Sequence, residues 1–300
     1  MDTKQIEYII KISEENNITH AAEKLFITQS ALNQQLLKLE KELGTPLFHR
    51  SRTNWRLTEA GEVYVQNARE ILRIKKFTYD RIHDISETKK GTLSVGFTPG
   101  RGISMFGAVY PDFHHAYPGI TVEPVEKSVR ELQEMITNGQ LDIAFLTLNE
   151  SDKINNEYIP IREEEILLTI PEHHPLSKYS APPGEPFAVI DPKALQNESF
   201  VLMDKNSTMR KLVNQIFEDI GCMPNVLFET KSHATVVTMI RANICCGLIP
   251  EYYIRNGHEG MCCFYLPTHP TWEVAASYKK GGYLSHAARY FINLAEKYWN

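Results

Sequence analysis

No apolar run approaches the roughly 20 residues a helix needs to span a bilayer. The opening MDTKQIEY is not a secretion signal, so a cytoplasmic chain without a membrane partner is expected. Cysteine is scarce and unordered. Cys222, Cys245, Cys246, Cys262 and Cys263 are odd in number and include no C-x-x-C pair, which argues against a disulfide framework or a zinc site. Catalytic signatures are missing as well. GRGISM, beginning at Gly100, opens like a dinucleotide fingerprint but puts Met105 where the third glycine belongs, and that reading fails. There is no G-x-S-x-G elbow, no H-E-x-x-H pair and no phosphate loop. His114-His115 and His173-His174 have no companion acids at ligand spacing. Neither enzymatic chemistry, nor a cofactor, nor a metal is expected.

Excess positive charge is lacking too: the net charge is -5, which argues against indiscriminate coating of nucleic acid. The distribution is uneven. Residues 1–90 hold 15 Lys+Arg against 13 Asp+Glu, and the other 210 hold 17 against 24. Between Leu43 and Thr58 lie His49, Arg50, Arg52 and Arg56 with no acid, a local basic segment suited to a DNA backbone.

What is present begins with a helical pattern over residues 4–16, followed by two short amphipathic helices around a tight turn. Ala21, Ala22 and Leu25 recur at helical spacing. Leu32, Leu36, Leu39 and Leu43 follow at steps of four, three and four, which assigns them one buried face. The opposite face carries Ser30, Asn33, Gln34, Lys38 and Lys41, polar groups suited to base edges and phosphates in a major groove. Phe48 to Leu57 reads as a wing with Thr53-Asn54 at its tip. Thr58 offers an N-cap for a helix running to about Glu87. Tyr64, Ala68, Ile71, Thr78, Ile82 and Ile85 approximate a heptad seam along it, widened by Val65, Leu72 and Tyr79, which predicts a dimer-forming linker.

After Lys89-Lys90-Gly91 strands and helices alternate, the grammar of a mostly parallel sheet covered by helices. TLSVGFT, ITVEPVE, LDIAFLTL, ILLTIP, SFVLMD, NVLFET, MCCFYLP and EVAASYKK read as strands, enough for two α/β lobes of about a hundred residues each.

The ordered set Ala21-Ala22, Leu25, Thr28-Gln29-Ser30, Leu36, Leu39-Glu40, Leu43-Gly44, Leu47-Phe48, Arg50 and Leu57-Thr58-Glu59-Ala60-Gly61 resembles the DNA-binding domain of LysR-type transcriptional regulators. PEHHPLS and the stretch Phe200 to Pro250 resemble the effector domain of the same family. The resemblance implies an α+β multidomain chain. Its parts are a winged helix-turn-helix (1–58), a linker and dimerisation helix (59–90) and a two-lobed α/β effector-binding domain of periplasmic-binding-protein type (91–300). Lobe one would take about 91–162 and 268–300, and lobe two about 163–267. The chain departs from the family at Asn33, where serine is common, at Leu37, where a basic residue is frequent, and at Asn243 and Cys245, where glycines are usual. Residues 179–192 read as an enlarged surface loop.

The DNA-contacting residues expected are Thr28, Gln29, Ser30, Asn33, Gln34, Lys38, Arg50, Arg52 and Arg56. Ligands of open α/β sheets bind beyond the carboxyl ends of strands, near helix N-termini. Thr98, Pro99, Gly100, Arg101, Ser128, Thr147, Asn206, Ser207 and Thr208 stand at such ends, with His233 nearby, and their positions match the inducer pocket of the resembling family. Lys205 and Arg210 are further sources of charge. Hydroxyls and free N–H groups favour an anionic or carboxylate-bearing effector. The expected partners are double-stranded DNA with an inverted-repeat operator, a small-molecule effector, a second copy of the chain (a homodimer, with a homotetramer implied by the resemblance), and RNA polymerase as a further candidate. Two alternatives stay open: a redox-responsive regulator using one of the five cysteines, and a solute-binding module without a regulatory role.

Overall fold

The computed structural model describes residues 2–51, 55–87, 89–182 and 184–300. The chain forms two compact units, Met1–Thr88 with Asn138–Gln140, and Lys89–Thr137 with Leu141–Asn300.

In the first unit, the Asp2 carboxylate accepts the Lys4 N–H and starts α1 (Thr3–Glu15), which ends at Asn16 in the left-handed region. Asn17 caps α2 (Ile18–Lys24) and Thr28 caps α3 (Gln29–Leu43), each accepting N–H groups of the first turn, so local side chains satisfy helix ends that would otherwise lack partners. Ile6, Ile9, Ile12, Ala21, Leu32, Leu36 and Leu39 fill the centre of this bundle. Leu43 does not join them, although the spacing predicts it: it is 44% exposed. It lies in the last turn before Gly44, and Glu40 is the residue that turns inward there, accepting the Leu47 N–H at 2.8 Å and the Arg50 guanidinium.

The strands β1 (Phe48–His49) and β2 (Arg56–Leu57) pair antiparallel, Phe48 opposite Leu57. The expected wing tip, Thr53-Asn54, and Arg52 lie outside the described residues. Thr58 ties the wing to the long helix α4 (Glu59–Ile85): its N–H donates to Leu47 O at 2.9 Å, its hydroxyl donates to Pro46 O at 2.8 Å, and the same oxygen accepts the Gly61 N–H at 3.0 Å. A Cβ on Gly61 would stand 2.0 Å from Leu47 O, so only glycine lets the two segments approach this closely. The expected α4 seam is divided. Val65 and Ala68 are buried in their own domain, with Tyr64, Ile71 and Leu72 packed on it. Further along, Ile74, Tyr79, Ile82 and Ile85 are 53–78% exposed. The first half is thus domain core rather than seam, because α1 covers it.

The second unit runs β3 (Lys90–Phe97), α5 (Arg101–Ala116), β4 (Gly119–Glu126), α6 (Val129–Thr137), β5 (Ile143–Leu148) and β6 (Asn156–Pro171). It continues with β7 (Ser199–Met203), α7 (Thr208–Asp219), β8 (Asn225–Thr230), α8 (His233–Arg241), β9 (Gly247–Pro250), β10 (Met261–Phe264), β11 (Thr271–Lys279) and α9 (His286–Trp299). The main sheet has the order β10-β6-β11-β5-β3-β4, with β9 also on β6. It is more mixed than the expected mostly parallel sheet. β3 is parallel to β4 and β5, whereas β11, β9 and β10 join antiparallel. The reason lies in β6. ILLTIP is only the second half of a 16-residue strand whose first half, Asn156–Glu165, pairs with β11 and whose second half pairs with β9 and β10. A strand this long passes from one core into another, and β11, β9 and β10 all run antiparallel to it.

Two lobes follow from the cores. In β5, Ile143 and Phe145 face a cluster with Phe97, Phe113 and Phe291, while Ala144, Leu146 and Leu148 face another with Leu132 and Ile136. Helices cover both faces, as a two-sided apolar strand requires. The other core gathers Ile166, Leu168, Phe200, Phe217, Val236 and Phe264, with β7 and β8 parallel and linked towards β9 through a Phe200–Cys246 bridge. Residues 179–192 are more than a loop: Ala188 and Ile190 exchange backbone hydrogen bonds with Tyr265 and pack on this core. Asn243, at a position where the family pattern has glycine, holds φ at 60°, a left-handed conformation that asparagine tolerates better than most residues.

Candidate functional site

On α3, Gln29, Ser30, Gln34 and Lys38 are exposed and Asn33 is half-buried, which leaves one polar face of the helix open to an external partner. Thr28 has a local task, its hydroxyl accepting the Ala31 N–H at 3.2 Å. Arg56 is exposed on β2. Arg50 is not the free cation the sequence implies. It pairs with the inward-facing Glu40 carboxylate and lies over the Trp55 ring at 5.6 Å, so it anchors the base of the wing.

In the second unit, a cavity of about 450 Å³ opens where the two lobes meet. Thr98, Pro99, Arg101, Ser128, Thr147, Asn206, Ser207, Thr208 and His233 line it. Gly100 does not. With φ at 77°, it turns the chain from β3 into α5 instead. The hydroxyls expected for a ligand largely have internal partners. Ser128 donates both its N–H and its hydroxyl to Glu131, at 3.0 and 2.7 Å, and these bonds hold the Glu131 carboxyl below its usual range. Ser207 donates to Asp204 O and accepts the Arg210 N–H. The Thr208 hydroxyl donates across the cleft to Thr147 O at 2.9 Å.

The charges also depart from expectation. Arg101 is only 4% exposed. Its two terminal nitrogens donate to Glu164 at 2.6 and 3.2 Å, and Trp272 Nε1 donates to the same carboxylate at 2.9 Å. The guanidinium sits 4.6 Å from the Trp299 ring centre, 4.8 Å from Tyr252 and 5.5 Å from Trp272. Aromatic faces and a carboxylate together make such burial of a cation tolerable, yet Arg101 Nε has no partner. Arg210 is likewise committed, to Met203 O, Glu229 and Asn214, and Lys205 lies 3.7 Å from Glu229.

His233 opens α8, stacked on Tyr253 at 5.1 Å with Trp272 edge-on at 6.1 Å. Its Nε2 is buried without a partner. Burial, helped by the Arg101 charge, pushes its pKa from 6.5 down to about 3, so the ring is neutral and offers one donor and one acceptor. The folded pKa lies below the unfolded one. As pH falls below 6.5 the unfolded chain takes up a proton that the native chain refuses, and stability is lost progressively towards pH 3. His233→Gln should therefore flatten the acid limb, sparing about 2 kcal/mol between pH 7 and 5. Urea unfolding of the full chain at both pH values measures this, and equal losses in variant and parent would refute it.

Sequence reasoning missed several lining residues, among them Glu126, Lys127, Asp204, Lys231 and Trp272. Asp204 and Lys231 flank strand ends and were within reach of the rule that found Asn206 and Thr208. Trp272 gives no local signal. None of the cysteines lines the cavity. Burial raises the Cys245 thiol and pushes Cys246 and Cys263 up to about 12, the opposite of what a reactive thiolate needs. No helix among the described residues is long and apolar enough to cross a membrane.

The chain matches two family models, the bacterial regulatory helix-turn-helix protein of the lysR family over residues 3–62 and the LysR substrate binding domain over residues 86–300. It is 28% identical over 315 residues to YcgK of Bacillus subtilis, described as an uncharacterized HTH-type transcriptional regulator, covering 99% of this chain and 94% of that one. A probable RuBisCO transcriptional regulator of Cyanidium caldarium is 30% identical over 220 residues, or 72% of this chain and 67% of that one. Among solved structures, a full-length OxyR variant from Pseudomonas aeruginosa superposes with a TM-score of 0.71 at 22% identity, covering 99% and 94% of the two chains. Full-length CbnR in complex with its target DNA gives 0.61 at 19% identity and 99% coverage of both. With a winged helix-turn-helix, a two-lobed unit and both family models in sequence order, the chain belongs to the LysR family of transcriptional regulators.

Proposed function

We propose that this regulator binds an inverted-repeat operator as a homodimer, itself able to pair into a tetramer, and that a carboxylate-bearing small molecule in the cleft between its lobes controls it in the cytoplasm. The observation that carries this reading is the cavity, lined by nine of the ten residues expected to bind an effector. The functional parts would be 1–58 for DNA, 59–90 for pairing and 91–300 for the effector, with lobes of about 91–162 with 268–300, and 163–267. The exposed stripe Ile74, Tyr79, Ile82 and Ile85 supports pairing, since such a row on a long helix lowers its free energy by burial against a second copy.

Ligand acts here only through different affinity for two arrangements of the protein. Gel-shift titration of the full chain against promoter fragments from its own genomic neighbourhood tests the DNA reading. One fragment should shift specifically, and specific binding to none would overturn it. Ile82→Asp combined with Ile85→Asp should yield monomers in analytical ultracentrifugation and weaken operator binding at least tenfold. A variant that stays dimeric would assign pairing to another surface.

A further inference from the structure

The charges around the cavity narrow the chemistry of the ligand, on the reading that this cleft is the effector site. Three acids, Glu126, Glu131 and Asp204, and three bases, Arg101, Lys127 and Lys231, line it. Two of the bases are already compensated, Arg101 by Glu164 behind it and Lys127 by Glu131 at 3.5 Å. The anion position at the start of α6 is filled by the chain's own Glu131 carboxylate, held by the Ser128 N–H and hydroxyl. Among the described residues, Glu126, Asp204 and Lys231 form no ion pair within the site, and the Asp204 carboxylate accepts only from Asn206. The buried Nε of Arg101 and Nε2 of His233 lack hydrogen-bond partners altogether.

A simple anion would gain Lys231 and the Arg101 N–H but would face Glu126 and Asp204, in a setting where like charges repel appreciably. A simple cation would leave Lys231 and the Arg101 N–H uncompensated. A molecule carrying both charges completes the set. Pro99, Val129, Met203, Met209 and Trp272 supply the apolar part of the wall, which suits a hydrocarbon or aromatic side chain.

We infer that the effector is a zwitterion of the α-amino acid type. Its carboxylate lies against Lys231 and Arg101 Nε, its ammonium against Glu126 and Asp204, and an apolar side chain against Met203, Met209 and Trp272. Arg101 supplies a directed N–H rather than net charge, because Glu164 cancels its charge. His233 supplies a neutral ring nitrogen.

The test uses the full chain and differential scanning fluorimetry with isothermal titration calorimetry. The probes are the standard L-amino acids at millimolar concentration and, for leucine, methionine and phenylalanine, the matched carboxylate without the amino group and the matched amine without the carboxylate. At least one amino acid with an apolar side chain should raise the melting temperature by several degrees, as a ligand well above its Kd does. Its two truncated partners should bind at least tenfold more weakly. Asp204→Asn should weaken the amino acid but not the bare carboxylate, and Lys231→Gln should weaken both. A bare carboxylate binding as tightly as its amino acid, or no response to any amino acid, overturns the zwitterion. Ser128→Trp, which fills the cavity from an exposed position, separates this failure from the broader one. If a ligand of any class binds this variant undiminished, the cleft itself is not the effector site. If binding is lost but only bare carboxylates had bound, the cleft stands and the zwitterion falls.

Discussion

Glu164→Ala should destabilise the effector-binding unit by about 3–5 kcal/mol, the largest effect expected of any single polar substitution here. The carboxylate is 2% exposed and accepts three hydrogen bonds, two from Arg101 and one from Trp272. Without it the Arg101 guanidinium stays buried among Tyr252, Trp272 and Trp299 with its charge uncompensated, and uncompensated charge in a poorly polarisable interior is the costly state. Removing both partners is a different matter. The double variant Arg101→Met, Glu164→Leu takes away the charge along with its counter-charge and should recover most of the loss. Urea unfolding of parent, both single variants and the double variant closes the cycle. A Glu164→Ala protein within 1 kcal/mol of the parent, or a double variant as unstable as the sum of its singles, would show that the pair does not act as a unit.

The second large effect is expected on DNA. Ser30 and Gln34 lie one turn apart on the exposed face of α3, so the double variant Ser30→Ala, Gln34→Ala should lose roughly 100-fold in affinity for the specific operator, at about 1–3 kcal/mol per base-reading side chain. Binding to unrelated duplex, carried by phosphate contacts, should change little. Fluorescence anisotropy at one fixed salt concentration measures both. An equal loss on specific and unrelated DNA would assign these residues to backbone contact. Arg50 is a poorer probe, because its substitution also leaves the inward-facing Glu40 without its cation.

The first unit was legible because its signals are local. Leucines at helical spacing, a capping threonine and a glycine at a helix end act within a few residues of each other, and only the helix-end Leu43 departs from the pattern. The stripe on α4 was legible as a stripe, but not which half its own domain would cover. Strand-end reasoning brought half of the cavity lining into view because helix N-termini and strand ends are adjacent in sequence. It said nothing about Glu164 or Trp272. These meet Arg101 only because β6 and β11 bring distant residues together: Glu164 is 63 positions from Arg101, and Trp272 is 108 positions from Glu164. Long-range pairs of this kind leave no periodicity to read, and so the sequence placed Arg101 at a strand end without revealing its buried ion pair.

The joint at Thr58 and Gly61 has a mechanical consequence. Two hydrogen bonds from Thr58 to Pro46 and Leu47, its cap on Gly61 and a close backbone approach hold the segment leading into the wing against the start of a 27-residue helix. At 1.5 Å per residue that helix is a lever of roughly 40 Å. A swing of about 5° at its far end therefore carries the wing roughly 3 Å, about the length of one hydrogen bond to a base edge. In the proposed dimer, a small change in how two such helices cross would be enough to bring α3 into register with its operator or take it out.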